Sequence, residues 1–201
     1  MNFWDDRYRS ETYVYGETPN EFLRAVATRI PRGHVVSLAE GEGRNAVFLA
    51  SLGYTVTAVD SSGEGLRKAK LLAARHGVSI ELVQADLADY ELPGALCAVV
   101  SIFAHVPSAI RKRLLARLPE VLVPGGLFVL ESYRPEQLAL GTGGPRDAAL
   151  LPTLAELKEE LLPLDLEIAA EVDRELHEGT FHDGPSATVQ IVGRRRANGV
   201  A

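Results

Sequence analysis

Cysteine is almost absent from this sequence, because Cys97 is the only one among 201 residues. An internal disulfide is therefore excluded, and so is a metal site built from several thiolates. Cys97 lies inside the apolar run 95–103, which predicts a buried side chain with no redox role. We expect no metal site.

An excess of positive charge is also missing, since 21 Lys and Arg face 27 Asp and Glu and the formal net charge is -6. Nucleic-acid binding draws most of its affinity from clustered cations, so no nucleic-acid partner is expected. No apolar run is long enough to span a bilayer, and residues 1–10 lack the apolar core of a signal peptide. These absences predict a cytoplasmic protein with small-molecule partners and no membrane partner. The oligomeric state stays open between a monomer and a homodimer.

From residue 32 onward, short apolar runs alternate with segments of helical spacing, which is typical of an α/β fold with a mainly parallel sheet. Parallel strands are predicted at 35–39, 55–60, 79–84, 96–103 and 127–133. Two more strands, antiparallel to each other, are predicted at 167–176 and 187–194, with a connector at 177–186. Helices are predicted at 44–52, 66–76, 108–118, with Ser108 as the N-cap, and 153–162.

A glycine-rich bend follows the first predicted strand at residues 37–46, SLAEGEGRNA. Gly41 and Gly43 permit positive φ and close approach of a ligand, and the helix behind them offers free N–H groups to an anion. Asp60 ends the second strand, where an acid that binds ribose hydroxyls is expected. The pattern fits NAD and S-adenosylmethionine (SAM) alike.

Residues 38–53 resemble motif I of the class I SAM-dependent methyltransferases, especially the small tellurite-resistance-like and thiopurine-methyltransferase-like group. Later segments resemble the following motifs of these enzymes in the same order, at 56–60, 84–87, 100–107 and 123–126. Trp4 and residues 13–16 and 19–23 resemble the lid of that group. The resemblance covers nearly the whole chain.

This resemblance implies a Rossmann-like fold with a seven-stranded, mostly parallel sheet, an antiparallel last strand and helices on both faces. We expect one domain over 1–201, with a core at 32–201. Residues 1–31 have no strand pattern and are expected to form a helical lid, with two helices packed over the mouth of the sheet.

SAM is the cofactor that the resemblance implies. Asp60 would bind both ribose hydroxyls, Asp86 would bind the adenine amino group, and the bend would give the methionine moiety access to the backbone. The residues expected to bind the cofactor are Ala39, Glu40, Gly41, Gly43, Asn45, Asp60, Ser61, Ala85, Asp86, Leu87, Ser101, Ile102 and Phe103.

One position departs from the resembling enzymes. Ser37 stands where many of them have an acid at the end of strand one, and Ala39 and Glu40 replace the usual Gly-Cys. Glu40 is therefore expected to hold the α-amino group of the methionine moiety, since an acid close to an ammonium group is physically sensible.

His105 follows the fourth predicted strand and Tyr133 ends the fifth, so both are candidate catalytic residues near the acceptor. His105 is either a substrate-contacting group or a loop histidine bonded to backbone, and Tyr133 either points into the cleft or lies at its rim. His182 contacts acceptor or lid, or is a turn residue bonded to Asp183. Aromatic residues of the N-terminal segment either close over the sulfonium or staple the helices to the body, namely Trp4, Tyr8, Tyr13 and Tyr15.

The resulting hypothesis is a SAM-dependent methyltransferase for a small-molecule acceptor, and the group resemblance suggests a thiol or a chalcogen oxyanion. An NAD-dependent oxidoreductase is the alternative on the glycine pattern and Asp60, although the chain has no Tyr-x-x-x-Lys pair. A non-catalytic SAM-binding protein is the third possibility.

Overall fold

Seven strands form one sheet in a computed structural model that describes residues 3–197. The first two and last four residues of the expected domain lie outside the described residues. The sheet order is β3-β2-β1-β4-β5-β7-β6. The strands are β1 (His34–Leu38), β2 (Thr55–Asp60), β3 (Glu81–Gln84), β4 (Leu96–Ile102), β5 (Leu122–Tyr133), β6 (Leu164–His177) and β7 (Asp183–Arg195).

The first five strands pair in parallel, while β7 is antiparallel to both β5 and β6. This topology confirms the predicted fold class. The central strands are apolar on both faces because helices cover both sides of the sheet. One face carries Val36 and Val99 in a cluster with the helix at 108–121, and the other carries Val35 and Ala98 with the helices at 21–26 and 44–51.

The helices are α1 (Phe3–Tyr8), α2 (Glu21–Val26), α3 (Arg44–Ser51), α4 (Gly63–Arg75), α5 (Ser108–Val121), α6 (Gln137–Leu140) and α7 (Leu154–Glu160). Short 3₁₀ turns add Ala27–Arg29 and Ala148–Leu150. Several helices start at side-chain caps: Ser62 accepts from Gly65 N before α4, and Thr153 and Glu156 form a capping box at α7. Among residues 3–197, no helix has the length and apolar character to cross a membrane.

The expected N-cap of α5 is wrong by one residue. Pro107 is the N-cap, with an extended ψ of 144°, and Ser108 is already the first helical residue without a capping bond. The helix also continues past the predicted end at residue 118 and through Pro119 to Val121. Proline lacks only one N–H, and burial of Leu118 and Val121 holds this last turn in place.

The last strands are longer than their sequence pattern suggests. Residues 124–126, a Pro-Gly-Gly stretch of a composition typical of turns, lie inside β5 beside a register irregularity. The expected connector at 177–186 shrinks to residues 178–182, closed by Glu178 N donating to the carbonyl of His182 at 2.8 Å. Pro185 pairs with Glu175 of β6 beyond the end of the β5–β7 ladder, where a missing N–H breaks no hydrogen bond.

The N-terminal segment forms two short helices, as expected. Asn20 caps α2 by accepting from Leu23 N, and α2 buries Phe22 and Val26 against the sheet. The first helix, α1, packs on α4, which follows the second strand. The segment is therefore held over the carboxyl ends of the strands by side-chain contacts, and no residue from position 3 to position 31 joins the sheet.

Gly43, the N-cap of α3, lies in close contact with α4, and a substitution there measures how tight this contact is. Its φ is +94°, and an added Cβ would lie 2.6 Å from the Cβ of Ala69 on α4. Gly77 also has positive φ, +66°, but an added Cβ there would meet no atom within 4 Å. We expect Gly77→Ala to lower the free energy of unfolding by about 1 kcal/mol and Gly43→Ala by about 2 kcal/mol more, since it adds overpacking to backbone strain. Urea denaturation measures both, and equal losses would contradict the tight contact.

Candidate cofactor and acceptor site

The Asp60 carboxylate lies at the end of β2 and faces the bend between β1 and α3. Its Oδ2 accepts from Gly41 N and its Oδ1 from Ser62 N, both at 2.8 Å. Burial raises the pKa of Asp60, and backbone hydrogen bonds from Ser62, Gly41 and Ser61 oppose that shift. The side chain is therefore fixed on the bend, where the sequence pattern placed it.

The Glu40 carboxylate turns into the first turn of α3. One oxygen accepts from Asn45 N at 2.9 Å and from Ala46 N at 2.8 Å, and the other accepts from the Ser37 hydroxyl. The expectation that these helix N–H groups are free for a ligand anion is therefore wrong, because Glu40 already satisfies them. Ala39, just before it, has a left-handed φ of +49°. That Glu40 holds a ligand amino group stays a prediction.

The ring of Tyr8, on α1, covers the bend. Its hydroxyl lies 2.6 Å from the position of a Cβ on Gly41, and its ring lies 3.0 Å from that of Gly65. Trp4 stacks on Tyr8 at 5.9 Å, and Tyr15 meets it edge-on at 6.1 Å. Burial, followed by the nearby charge of Asp60, raises the pKa of the Tyr8 phenol. The crevice beside the bend is thus filled by the N-terminal segment.

Lys68, on α4, attaches this segment to the body. Its Nζ donates to the carbonyls of Ser10 at 2.8 Å and Thr12 at 2.7 Å, and it forms a buried ion pair with Glu42 of the bend. Glu42 in turn accepts from Tyr15 N at 3.3 Å. We call this set, residues 10, 12, 15, 42 and 68, the lid clamp.

Five rings meet at the carboxyl ends of β4 and β5. Phe103 lies 4.5 Å from His182 and 4.7 Å from Tyr133, while Tyr15 lies 4.7 Å from His182 and His105 stacks on Tyr133 at 5.5 Å. We call this cluster the aromatic chamber. Sequence reasoning named each member separately, and only the fold brings them together.

Three polar atoms of the chamber are buried and make no hydrogen bond of normal geometry: His105 Nε2, Tyr133 Oη and His182 Nδ1. Burial lowers the pKa of His105 to about 4 and that of His182 well below its usual value. Burial also raises the pKa of the Tyr133 phenol. All three groups are therefore uncharged near neutral pH, and each has capacity for a polar ligand.

The prediction that His182 bonds to Asp183 is wrong. His177 makes that contact, with Nδ1 2.7 Å from Asp183 Oδ1, while His182 is 6% exposed and packs in the chamber. Adjacent residues at a strand end point to opposite sides. Once β7 begins at Asp183, His182 is directed inward.

The remaining predicted residues lie around the crevice. Asp86 is exposed and accepts from Ala88 N at 2.8 Å, whereas Leu87 is buried in the core. Ser101 and Leu87 line a cavity of about 30 Å³, which has room for water but not for an adenosyl group. The other five residues predicted for the cofactor site and the lid are also placed by the structure. Ser61, Ala85 and Tyr13 are half-buried, Ile102 is buried, and Asn45 accepts from Asn20 N.

Sequence reasoning missed a buried polar network behind the chamber. Asn20 donates to Glu131 at 2.5 Å and to Glu178 at 2.9 Å, and Arg44 of α3 donates to Glu178 at 2.7 Å. Arg174 lies 3.3 Å from Glu178. The network joins the N-terminal segment, the bend, β5 and the β6–β7 hairpin. Its only sequence signal was that Asn20 and Arg44 fall inside the motif-like segments.

Residues 35–126, just under half of the chain, match the family model described as a methyltransferase domain. No curated protein matches the sequence. Within residues 3–197 there is no cluster of three or more His, Cys, Asp or Glu side chains able to hold a metal ion.

Solved structures share the fold. One comes from work on the conversion of a disulfide bond into a thioacetal group during echinomycin biosynthesis, with a TM-score of 0.77, 19% identity and coverage of 98% of this chain and 92% of that one. TehB from Haemophilus influenzae has a TM-score of 0.72 and 17% identity, covering 96% of this chain and 66% of that one. Magnesium protoporphyrin IX methyltransferase from Synechocystis, with S-adenosylhomocysteine (SAH) bound, has a TM-score of 0.64 and 16% identity, covering 87% and 79%.

The fold is therefore that of the SAM-dependent methyltransferases. Residues 35–126, on that fold, match the methyltransferase-domain model, which supports the predicted enzyme class and SAM as its cofactor. The finer tellurite-resistance-like or thiopurine-methyltransferase-like grouping stays a prediction.

The lowered pKa values of His105 and His182 predict that the free energy of unfolding decreases in acid. Because the folded pKa of His105 is about 4 and an unfolded histidine titrates near 6.5, the unfolded chain binds the extra proton first. The free energy of unfolding should fall as pH drops from about 6.5 to about 4, by up to roughly 3 kcal/mol from His105. Urea denaturation at each pH should show a shallower fall for His105→Asn. Exposed His76→Asn is the control, and an unchanged slope in His105→Asn would contradict the assignment.

Proposed function

We propose that this protein is a single-domain cytoplasmic enzyme that transfers a methyl group from SAM to a small-molecule acceptor held in the aromatic chamber. The observation that carries the proposal is the set of three buried polar atoms that make no hydrogen bond of normal geometry, on His105, Tyr133 and His182. Unsatisfied buried groups are costly and are few in native proteins. A polar acceptor that bonds to them accounts for their retention.

The bend and its neighbours suit the cofactor. Asp60 Oδ2 accepts from Gly41 N and Oδ1 from Ser62 N, and a carboxylate has further lone pairs that a ribose hydroxyl can use. Asp86 and Leu87 would meet the adenine, and Gly41 gives the methionine moiety an approach that a Cβ would block. Tyr8 places a phenol hydroxyl in this crevice, near Gly41 and the charge of Asp60. The crevice therefore already accommodates one hydroxyl group, as it would have to accommodate those of the ribose.

SAM, when bound, supplies an electrophilic methyl group on its sulfonium centre. The chain's own residues then orient the acceptor and exclude water, which are the main requirements of an in-line displacement. A histidine with a pKa of about 4 is a weak base near neutral pH, so His105 serves the acceptor as a hydrogen-bond partner. The acceptor therefore reacts through a lone pair that is already free.

A thiol or a chalcogen oxyanion meets that requirement, because a thiol has a pKa near 8.5 and supplies thiolate close to neutral pH. The neighbour from echinomycin biosynthesis supports a sulfur acceptor, since conversion of a disulfide into a thioacetal is chemistry at sulfur. The aromatic walls of the chamber suit a soft, polarisable acceptor atom.

The N-terminal segment acts as a lid in this proposal, with Trp4, Tyr8, Tyr13 and Tyr15 as its aromatic residues. Tyr8 fills the crevice that the cofactor needs, so the lid opens for the cofactor to enter. Tyr15 touches both Tyr8 and His182, which links the cofactor crevice to the acceptor chamber. Closure over both ligands would keep water from the reacting atoms.

Calorimetric titration with SAH tests cofactor binding. We expect Asp60→Asn to weaken SAH binding by at least about tenfold, because a charge-assisted bond to ribose is lost. Asp89→Ala, an exposed acid in the loop after β3, is the control. A folded wild-type protein without measurable SAH affinity would overturn the proposal.

Steady-state production of SAH from SAM tests whether the aromatic chamber binds the methyl acceptor. Incubation with SAM and thiols, selenite, tellurite or small amines should yield SAH continuously with one acceptor class, and Tyr133→Phe should lower kcat by about tenfold through loss of a positioning bond. Tyr54→Phe, which removes a buried phenol hydroxyl that bonds to the carbonyls of Ala27 and Ile30 outside the chamber, serves as the matched control. SAH binding without turnover on any acceptor would favour a non-catalytic SAM-binding protein.

The lid clamp predicts the kinetics of cofactor exchange. Lys68→Met keeps the length of the side chain but removes its three polar contacts to the segment and to Glu42. Both association and dissociation of SAH, followed by stopped-flow fluorescence of Trp4, should accelerate by about tenfold. Lys68→Met/Glu42→Gln avoids leaving a buried charge unpaired, and exposed Lys70→Met is the control. Unchanged rates in both Lys68 variants would contradict the role of the clamp.

A further inference from the structure

The buried charge of Glu40 is a feature that the transfer step itself does not use. The residue is 7% exposed, and its carboxylate accepts from Asn45 N, Ala46 N and the Ser37 hydroxyl. Asn45 and Ala46 are the second and third residues of α3. Glu40 thus occupies the N–H donors that a helix start otherwise offers to a bound anion.

The charge is not cancelled by an ion pair. Among residues 3–197, no Lys, Arg or His side chain lies within salt-bridge distance of Glu40, and Arg44 attracts it only from farther away. The other acid of the bend, Glu42, is paired with Lys68. The first turn of α3 therefore presents an unpaired negative charge next to the bend.

Two kinds of adenosine cofactor differ at this point. A dinucleotide lays its diphosphate on the first turn of the helix that follows strand one. Here that group would lose its N–H donors and meet a like charge at close range, which is strongly unfavourable at low dielectric. The amino-acid end of SAM carries an ammonium group instead, which a nearby carboxylate attracts.

We propose that Glu40 determines cofactor specificity at this bend: it rejects a phosphate-bearing cofactor and favours one whose neighbouring end carries an ammonium group. Ser37 is its positioning residue, since the hydroxyl fixes the second oxygen at the end of β1. This inference rests on the proposed function and adds to it the reason why SAM, and not NAD, is accepted.

Three ligands separate the charge effect from simple loss of a helix cap. SAH carries the amino-acid end, 5′-methylthioadenosine has the same adenosine and thioether without it, and NADH carries the diphosphate. Glu40→Gln should weaken SAH binding by about tenfold and leave the affinity for 5′-methylthioadenosine within about twofold of the wild-type value. The ratio of SAH affinity to NADH affinity should be smaller in the variant than in the wild type. Calorimetric titration measures all three affinities.

Moving the carboxylate from residue 40 to residue 37 should restore SAH binding to the Glu40→Gln variant. Ser37→Asp combined with Glu40→Gln returns a carboxylate to the position that already bonds to residue 40, so SAH affinity should recover most of its loss. Glu64→Gln, an acid of α4 whose side chain is 42% exposed, is the matched control. Equal losses for SAH and 5′-methylthioadenosine in Glu40→Gln would reduce Glu40 to a structural cap and overturn the proposal, as would an unchanged SAH affinity.

The wild-type protein gives a second measurement should Glu40→Gln fail to fold. Burial raises the pKa of Glu40, so its charge is lost as pH falls through that raised value. The ratio of SAH to 5′-methylthioadenosine affinity should therefore fall as pH is lowered from neutral through that raised value, while effects of Asp60 on the shared ribose cancel. A constant ratio overturns the inference. Failure of wild-type protein to bind either adenosine ligand would instead contradict the proposed function.

Discussion

Two buried carboxylates fix the bend between β1 and α3, and the site depends on them. Asp60 reaches across from β2 to the N–H of Gly41, and Glu40 turns back onto the first turn of α3. A bend with positive φ at Ala39, Gly41 and Gly43 has few regular hydrogen bonds of its own. The carboxylates supply them, so the side chains proposed to bind the cofactor are also the ones that stabilise the bend.

The lid and the chamber follow from where that bend lies. The parallel strands end at one edge of the sheet, so the residues after β1, β2, β4 and β5 meet there. The N-terminal segment crosses this edge and contributes Tyr8 to the crevice and Tyr15 to the chamber. A network of Asn20, Arg44 and Glu178 links the segment to α3 and to the β6–β7 hairpin. The N-terminal segment is therefore in contact with both halves of the candidate site.

Periodicity was sufficient for the α/β class, the order of elements and the acid at the end of β2, because these depend on local alternation of apolar residues and on glycine conformations. It was insufficient at element ends. Pro107 displaced Ser108 from the cap, and Gly184 and Pro185, which read as turn residues, entered β7 because pairing with β6 outweighed their local preference. Nothing in the spacing of Glu40 indicated that its oxygens would bond within the chain.

The sequence by itself determined the fold class, the enzyme class that its motifs resemble and the residue types available at the strand ends. Only the tertiary structure decided which of them meet. His105, Tyr133 and His182 are far apart in the chain and become one chamber through the sheet order, in which β7 returns beside β5. Local patterns fix which face a side chain takes on its own element, but contacts between distant elements arise from packing that no single segment encodes.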